Sequence, residues 1–184
     1  MNRILRTLIV AAGLCTLPVI AQAADIFMLI STPSQPGDST AKGHENWIRV
    51  ASLDWNTQAQ SSWTAGGGAS VGKPSPGKLQ LVLPNGFWSP LFLRLITQGK
   101  AVPKIVFDAV SSDGRPLYRL TVEGFFVTEY RLASLATTPL PQDHVSGVFK
   151  ILKLEQFAQT ADGRLITTVV DWNIVTGVST PAVF

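Results

Sequence analysis

One segment of this sequence, residues 88–97, has the pattern of an α-helix, and it constrains the fold because the rest of the chain has the patterns of strands and loops. Pro90 suits the first helical turn, where its missing N–H costs nothing, and the Ser89 hydroxyl is predicted to accept a hydrogen bond from a free N–H there. Gly99 is predicted to end the helix in a left-handed conformation. Apolar residues recur four positions apart along the helix: Leu91 and Leu95, and Phe92 and Ile96. A single short apolar helix predicts a curled sheet or barrel in which the helix covers an open end or edge.

The first 23 residues have the pattern of a signal peptide. Arg3 and Arg6 precede an apolar run at 8–20, and the small residues Ala21 and Ala23 suit a signal peptidase. We therefore predict cleavage before Ala24 and an exported protein, periplasmic or secreted to the extracellular space. After cleavage we expect no stable membrane insertion; an uncleaved membrane anchor is the alternative.

The leader also contains the single cysteine, Cys15. Leu14 stands where a lipid-attachment signal needs a small residue, which argues against lipidation. Without its leader the chain has no disulfide and no thiolate chemistry, and residues 24–184 have the length of one domain. The 15 Lys and Arg include Arg3 and Arg6, so 13 basic residues stand against 12 acidic ones, a net charge of +1. So little charge makes nucleic acid a poor partner.

Seven segments have strand patterns, and we predict a mainly β fold. The predicted strands are residues 25–30, 47–56, 78–83, 103–110, 117–130, 148–159 and 164–174. Loop composition marks 31–45, 65–77 and 133–145, and the tail from about 175 is predicted to be irregular. The Asp-Gly pairs at 113–114 and 162–163 predict hairpin turns. Four residues of the last strand are predicted to face the core: Ile166, Val170, Trp172 and Ile174.

A match to a nucleotide-binding motif at residues 67–73, Gly-Gly-Ala-Ser-Val-Gly-Lys, fails at the next position. Pro74 stands where a phosphate-binding loop needs Ser or Thr for magnesium and the start of a helix. We therefore predict a glycine-rich loop and no nucleotide.

Few residues have patterns that point to chemistry. His44 and His144 lie in predicted loops without zinc-type spacing, so we expect surface histidines and no metal. No serine lies in a Gly-x-Ser-x-Gly elbow. Strand carboxylates could pair for glycoside hydrolysis, although exposed carboxylates are far commoner: Asp108, Glu123, Glu129 and Asp171. Tryptophans could form a ligand platform, although in strands they usually lie in cores or interfaces: Trp47, Trp55, Trp63, Trp88 and Trp172. We predict a non-enzymatic binding or assembly protein without cofactor; a secreted hydrolase with a triad from distant loops is the alternative.

Apolar residues exceed what one inward face can bury. Phe125 and Val127 fall opposite the main apolar side of their strand, and Phe87 and Trp88 lie at the start of the helix. Because large exposed apolar patches mark interfaces, these residues are our candidate subunit interface, and head-to-tail contacts could close a ring. The alternative is a two-layer monomer in which a loop or the tail covers that face.

The order of segments resembles one known family. The resemblance rests first on Asp25-Ile-Phe-Met-Leu-Ile at the start and on Leu53-Asp-Trp55 in the second strand. It rests also on the single helix followed by Gly99-Lys-Ala-Val-Pro103, and on closing strands with Asp162-Gly163 and Asp171-Trp-Asn173. In this order the mature chain resembles the haemolysin-coregulated protein (Hcp) family, the tube subunits of type VI secretion systems.

The resemblance implies an Hcp-like β-barrel of two antiparallel sheets with one short helix, about Ser89 to Gln98, packed at its side. It further implies homo-hexameric rings that stack into a tube with a wide lumen, with protein cargo or secretion-system components as partners and no catalytic residue. Family tube subunits lack a cleaved leader. An exported periplasmic or extracellular binding module outside a secretion tube is therefore the alternative function.

Overall fold

The computed structural model describes residues 24–63, 69–134 and 140–180, so the predicted leader lies outside the described residues. Its elements are β1 (Asp25–Ser31), β2 (Ser34–Gln35), β3 (Ile48–Val50), β4 (Ser52–Asp54), β5 (Thr57–Gln58), β6 (Ser61–Trp63), β7 (Ala69–Val71), β8 (Ser75–Pro76), β9 (Leu79–Pro84), α1 (Ser89–Gln98), β10 (Ala101–Val110), β11 (Pro116–Ala133), β12 (Gln142–Val148), β13 (Ile151–Gln159), β14 (Leu165–Asn173) and β15 (Val178–Ser179).

Antiparallel pairing closes these strands into a barrel. β10 pairs with β1 and β11, β12 pairs with β11 and β9, β3 pairs with β1, and β4 pairs with β9. Only Ala51 separates β3 from β4, and its N–H donates to the Val82 carbonyl at 2.8 Å. The short segment 48–54 therefore pairs with β1 through β3 and with β9 through β4, and this closes the barrel. β13, β14 and β15 extend one sheet beyond the barrel, from the first half of β11.

The long strand β11 changes partner and inward face at Gly124. Before this glycine β11 pairs with β13, up to Glu123 opposite Ile151, and after it β11 pairs with β12 from Phe126 opposite Val148. Gly124 has a φ of +65°, a left-handed conformation that bends the strand. The buried apolar residues are even-numbered before the bend and odd-numbered after it: Leu120 and Val122, then Phe125 and Val127.

The single predicted helix is confirmed as α1, and Gly99 ends it in the left-handed conformation with a φ of +60°. Leu91, Phe92 and Leu95 are buried in the barrel core, and α1 packs against β11. The predicted cap is wrong: Ser89 is the first helical residue, and its hydroxyl bonds to other parts of the chain instead of capping the first turn.

Several strand boundaries differ from the prediction. The end of the predicted loop 133–145, residues 142–145, belongs to strand β12, which lies between β11 and β9. β12 ends at Val148, where the next strand was predicted to begin. The predicted strand 47–56 is two strands, because the chain crosses between sheets at Ala51. In the tail, β15 pairs with Trp172 and Asn173 of β14, so this part is not irregular.

Candidate subunit interface

Three of the four residues predicted at a subunit interface lie in the core. The exposed fractions of the Trp88, Phe125 and Val127 side chains are 2%, 0% and 1%, so this part of the prediction is wrong. The physical reason for Phe125 and Val127 is the bend at Gly124, which turns odd-numbered residues inward. Phe87 is different, because it is 91% exposed, and it stays a candidate.

A polar cluster around one buried aspartate holds the turn that carries Phe87. Asp143, on β12, is fully buried. It accepts hydrogen bonds from the Ser89 hydroxyl, from Tyr130 at 3.0 Å and from the Asn85 amide at 3.2 Å. Burial raises the pKa of Tyr130 to about 12, and the hydrogen bond to Asp143 is the second cause. The cluster fastens the start of α1 to β11 and β12.

Among the described residues, strand β14 presents a sheet edge without the usual protection. Within the described part of the chain, β14 is bonded on its outer side at Asp171, Trp172 and Asn173, and no strand lies on that side of residues 165–170. That segment, Leu-Ile-Thr-Thr-Val-Val, carries no charge and no proline, the devices that usually protect an edge. Leu165 is 59% exposed and Ile166 42% exposed, although Ile166 was predicted to face the core.

An apolar groove lies beside the same edge, and we call it the Trp55/Trp172 groove. It has a volume of about 310 Å³ and lies between β13, β14 and the chain around Trp55. The two indole rings are 6.3 Å apart, centre to centre. Its other apolar walls are Pro74, Leu152, Leu154 and Val170, and Thr57 and Ser179 lie at its exposed rim. A tryptophan platform was one alternative interpretation of the sequence, but no local pattern indicates that these two residues meet.

His44 is paired rather than free on the surface, contrary to the prediction. Its Nε2 lies 3.1 Å from Asp108 Oδ2, and its ring stacks on Phe27 with centres 4.6 Å apart. Arg119 donates to both oxygens of Asp108, at 2.6 and 2.7 Å. Burial raises the pKa of Asp108, but the hydrogen bonds from Arg119 and His44 outweigh burial and hold the pKa below its ordinary value. This arrangement fastens the loop before β3 to the sheet.

The remaining candidate residues do not form a reaction centre in the described residues. Glu123 and Asp171 line one surface groove together with Lys104 and Lys153, whose positive charges offset those of the carboxylates. Lys104 Nζ lies 3.9 Å from Glu123 Oε1. Glu129 is exposed, and His144 is half-buried on β12. Within residues 24–63, 69–134 and 140–180, no cluster of three or more His, Cys, Asp or Glu side chains could hold a metal ion.

The segment that matched part of a phosphate-binding loop lies partly outside the described residues. Its described part includes β7, which pairs with β6 in a hairpin. A phosphate-binding loop would instead lead into a helix. Among the described residues, no helix is both long enough and apolar enough to span a membrane.

The fold and the exposed surfaces define a class of protein: a closed antiparallel β-barrel with one helix at its side and apolar surface available for assembly. A family model described as type VI secretion system effector, Hcp, matches residues 27–155. The chain belongs to this Hcp family and has the structure of a type VI secretion tube subunit, as the resemblance implied. No curated protein sequence matches it.

Solved structures share this fold at low sequence identity. One described as a type six secretion system protein aligns with a TM-score of 0.77 and 19% identity, covering 86% of this chain and 100% of that chain. Hcp1 from Salmonella typhimurium aligns with a TM-score of 0.69 and 22% identity, covering 86% and 99%. A type VI secretion system effector from Yersinia pestis aligns with a TM-score of 0.64 and 16% identity, covering 81% and 99%. The predicted Hcp-like β-barrel of two antiparallel sheets is confirmed.

Proposed function

We propose that the mature chain, residues 24–184, is a non-enzymatic structural subunit that assembles into a homo-hexameric ring, with rings able to stack into a tube. The observation that carries this proposal is the uncharged edge of β14 at residues 165–170. Unpaired N–H and C=O groups along an edge are a template for another strand, so a chain that keeps such an edge is suited to pairing with a neighbour. Membership of the Hcp family supports the same function.

The ring requires a contact between two different surfaces of the chain. A head-to-tail contact closes into a ring when the rotation between neighbours allows it. In this proposal the edge of β14 meets a different part of the next subunit. Protein cargo in the lumen and other secretion-system components are the expected partners.

Light scattering coupled to gel filtration tests the ring on the mature chain. We expect a mass near six chains and annular particles in negative stain. A variant with Thr168→Lys and Val169→Lys, which places charge on the edge, is expected to shift the mass toward one chain. Lys100→Glu, at an exposed residue just after α1, is the control for a change of charge away from the edge. A wild-type mass of one chain at micromolar concentration would contradict the proposal.

A second candidate function is favoured by the leader pattern at residues 1–23. In this version the chain is an Hcp-like module that the general export pathway delivers to the periplasm or the medium, outside a secretion tube. Expression of the full chain in cells with and without a type VI apparatus separates the two. Periplasmic protein whose intact mass begins at Ala24, independent of the apparatus, supports the exported module. Full-length protein that leaves the cytoplasm only with the apparatus supports the tube subunit.

A further inference from the structure

Phe87 is an exposed aromatic side chain on a restrained turn. The neighbouring Gly86 N–H donates to Ser89 Oγ at 3.0 Å, and the Trp88 indole N–H donates to the Pro84 carbonyl at 3.0 Å. Gly86 also lies against the Trp88 ring, since a Cβ atom at Gly86 would lie 2.6 Å from it. Because the backbone on both sides of Phe87 is held, its binding would order little additional chain. Aromatic residues, phenylalanine included, are enriched in protein interfaces relative to the rest of the surface.

The Trp55/Trp172 groove has the matching chemistry. Its floor includes Leu152, which is 3% exposed, and its walls are the two indoles and aliphatic side chains. An aromatic ring in such a groove gains from apolar burial and from edge or offset contacts with the indoles. The pocket beside Phe87 itself is a different one, lined by Gln35, Pro90, Leu91 and Arg94.

We infer that Phe87 of one copy inserts into the Trp55/Trp172 groove of the next copy; the inference rests on the proposed ring. The occupant is a second copy because the groove is continuous with the edge that the proposed ring uses: Val170 and Trp172 of β14 form one of its walls. A neighbour that pairs with residues 165–170 therefore reaches the groove next.

The size of the edge contact supports a second contact point. Six residues of an edge strand are about 20 Å long and about 5 Å wide. A stable protein interface buries about 800 Å² on each partner, several times that footprint. An aromatic side chain in an apolar groove supplies part of the missing area, and it places the two contact surfaces on different parts of the chain, as a head-to-tail ring requires.

The first test compares three variants of the mature chain by light scattering. Phe87→Ser removes the inserted side chain, and Ser179→Arg obstructs the groove from its exposed rim. Leu93→Ser is the matched control, because Leu93 is also an exposed apolar residue of the same helical region, at 51%. We expect masses near one chain for the first two variants and near six for the control, with unchanged circular dichroism for all three.

Mixing makes the test specific to the pair. The Phe87→Ser chain keeps its groove, and the Ser179→Arg chain keeps its phenylalanine, so an equimolar mixture can form one intact contact but no closed ring. We expect a mass near two chains in the mixture.

The outcomes separate this contact from the ring itself. Masses near six chains for both Phe87→Ser and Ser179→Arg would overturn the contact and leave the ring intact. A wild-type mass of one chain would overturn the ring and the contact together.

Discussion

Asp143 is fully buried and accepts a hydrogen bond from the hydroxyl of Ser89, the first residue of α1. The two residues are 54 positions apart in sequence. Tyr130 and Asn85 donate to the same carboxylate, so one buried side chain connects the helix, the turn before it and two strands. Buried polar groups of this kind stabilise a fold only while all their partners are present.

Replacing Asp143 by alanine is expected to lower the free energy of unfolding by about 3 kcal/mol, since it leaves the buried Ser89 hydroxyl and the half-buried Tyr130 hydroxyl without this acceptor. Urea unfolding followed by circular dichroism measures the loss. Asp54→Ala is the control, because Asp54 is an exposed aspartate on β4. An equal loss in the two variants would contradict a structural role for the cluster.

Acid stability is expected to depend on Arg119. The pKa of Asp108 is below its ordinary value in the folded protein, so ionised Asp108 stabilises the fold above that ordinary value, and this contribution is lost as the pH falls through the folded-state pKa. In Arg119→Gln the pKa of Asp108 should rise, and acid unfolding should begin at a higher pH. Arg115→Gln, which removes a surface pair with Asp113, is the control. Identical acid transitions in both variants would show that Arg119 has no such role.

The two tyrosines are expected to resist ionisation at alkaline pH. Burial raises the pKa of Tyr118, and burial together with Asp143 raises that of Tyr130 to about 12. A folded-state pKa above the unfolded value stabilises the fold below the unfolded value, and this contribution is lost as the pH rises through the folded-state pKa. Absorbance titration of native protein should therefore show little tyrosinate near pH 10, whereas protein in urea should titrate near 10. The Tyr130→Phe variant shows which ionisation step belongs to Tyr130, because that step should disappear. Full ionisation of both tyrosines in native protein near pH 10 would contradict the prediction.

Alanine at Gly124 is expected to lower the free energy of unfolding by about 1–2 kcal/mol, because a residue with a Cβ atom disfavours positive φ. Its Cβ would also lie 3.0 Å from Lys150 Cδ. Gly114→Ala is the matched control: φ is +81° there, but no atom lies within 4 Å of the added Cβ. Chemical unfolding compares the two. A loss at Gly124 smaller than at Gly114 would contradict the role of this glycine in the bend.

The sequence by itself determined the local elements. The helix and its end at Gly99 follow from the spacing of apolar residues and from a glycine that tolerates positive φ. The same reasoning predicted the turns that contain Gly114 and Gly163, whose φ values are +81° and +85°. These features depend on interactions within a few residues, so composition and spacing are enough to predict them.

The tertiary structure alone decided which side chains are available to a partner. Alternation predicts one inward face for an unbroken strand, but β11 changes partner at Gly124, and the bend buries Phe125 and Val127. The Ser89 hydroxyl bonds to Asp143 instead of capping the first helical turn, because the fold brings β12 next to the start of α1. Likewise, Trp55 and Trp172 line one groove because pairing of distant strands brings them together. Interactions between residues far apart in sequence set these outcomes, and no local pattern contains them.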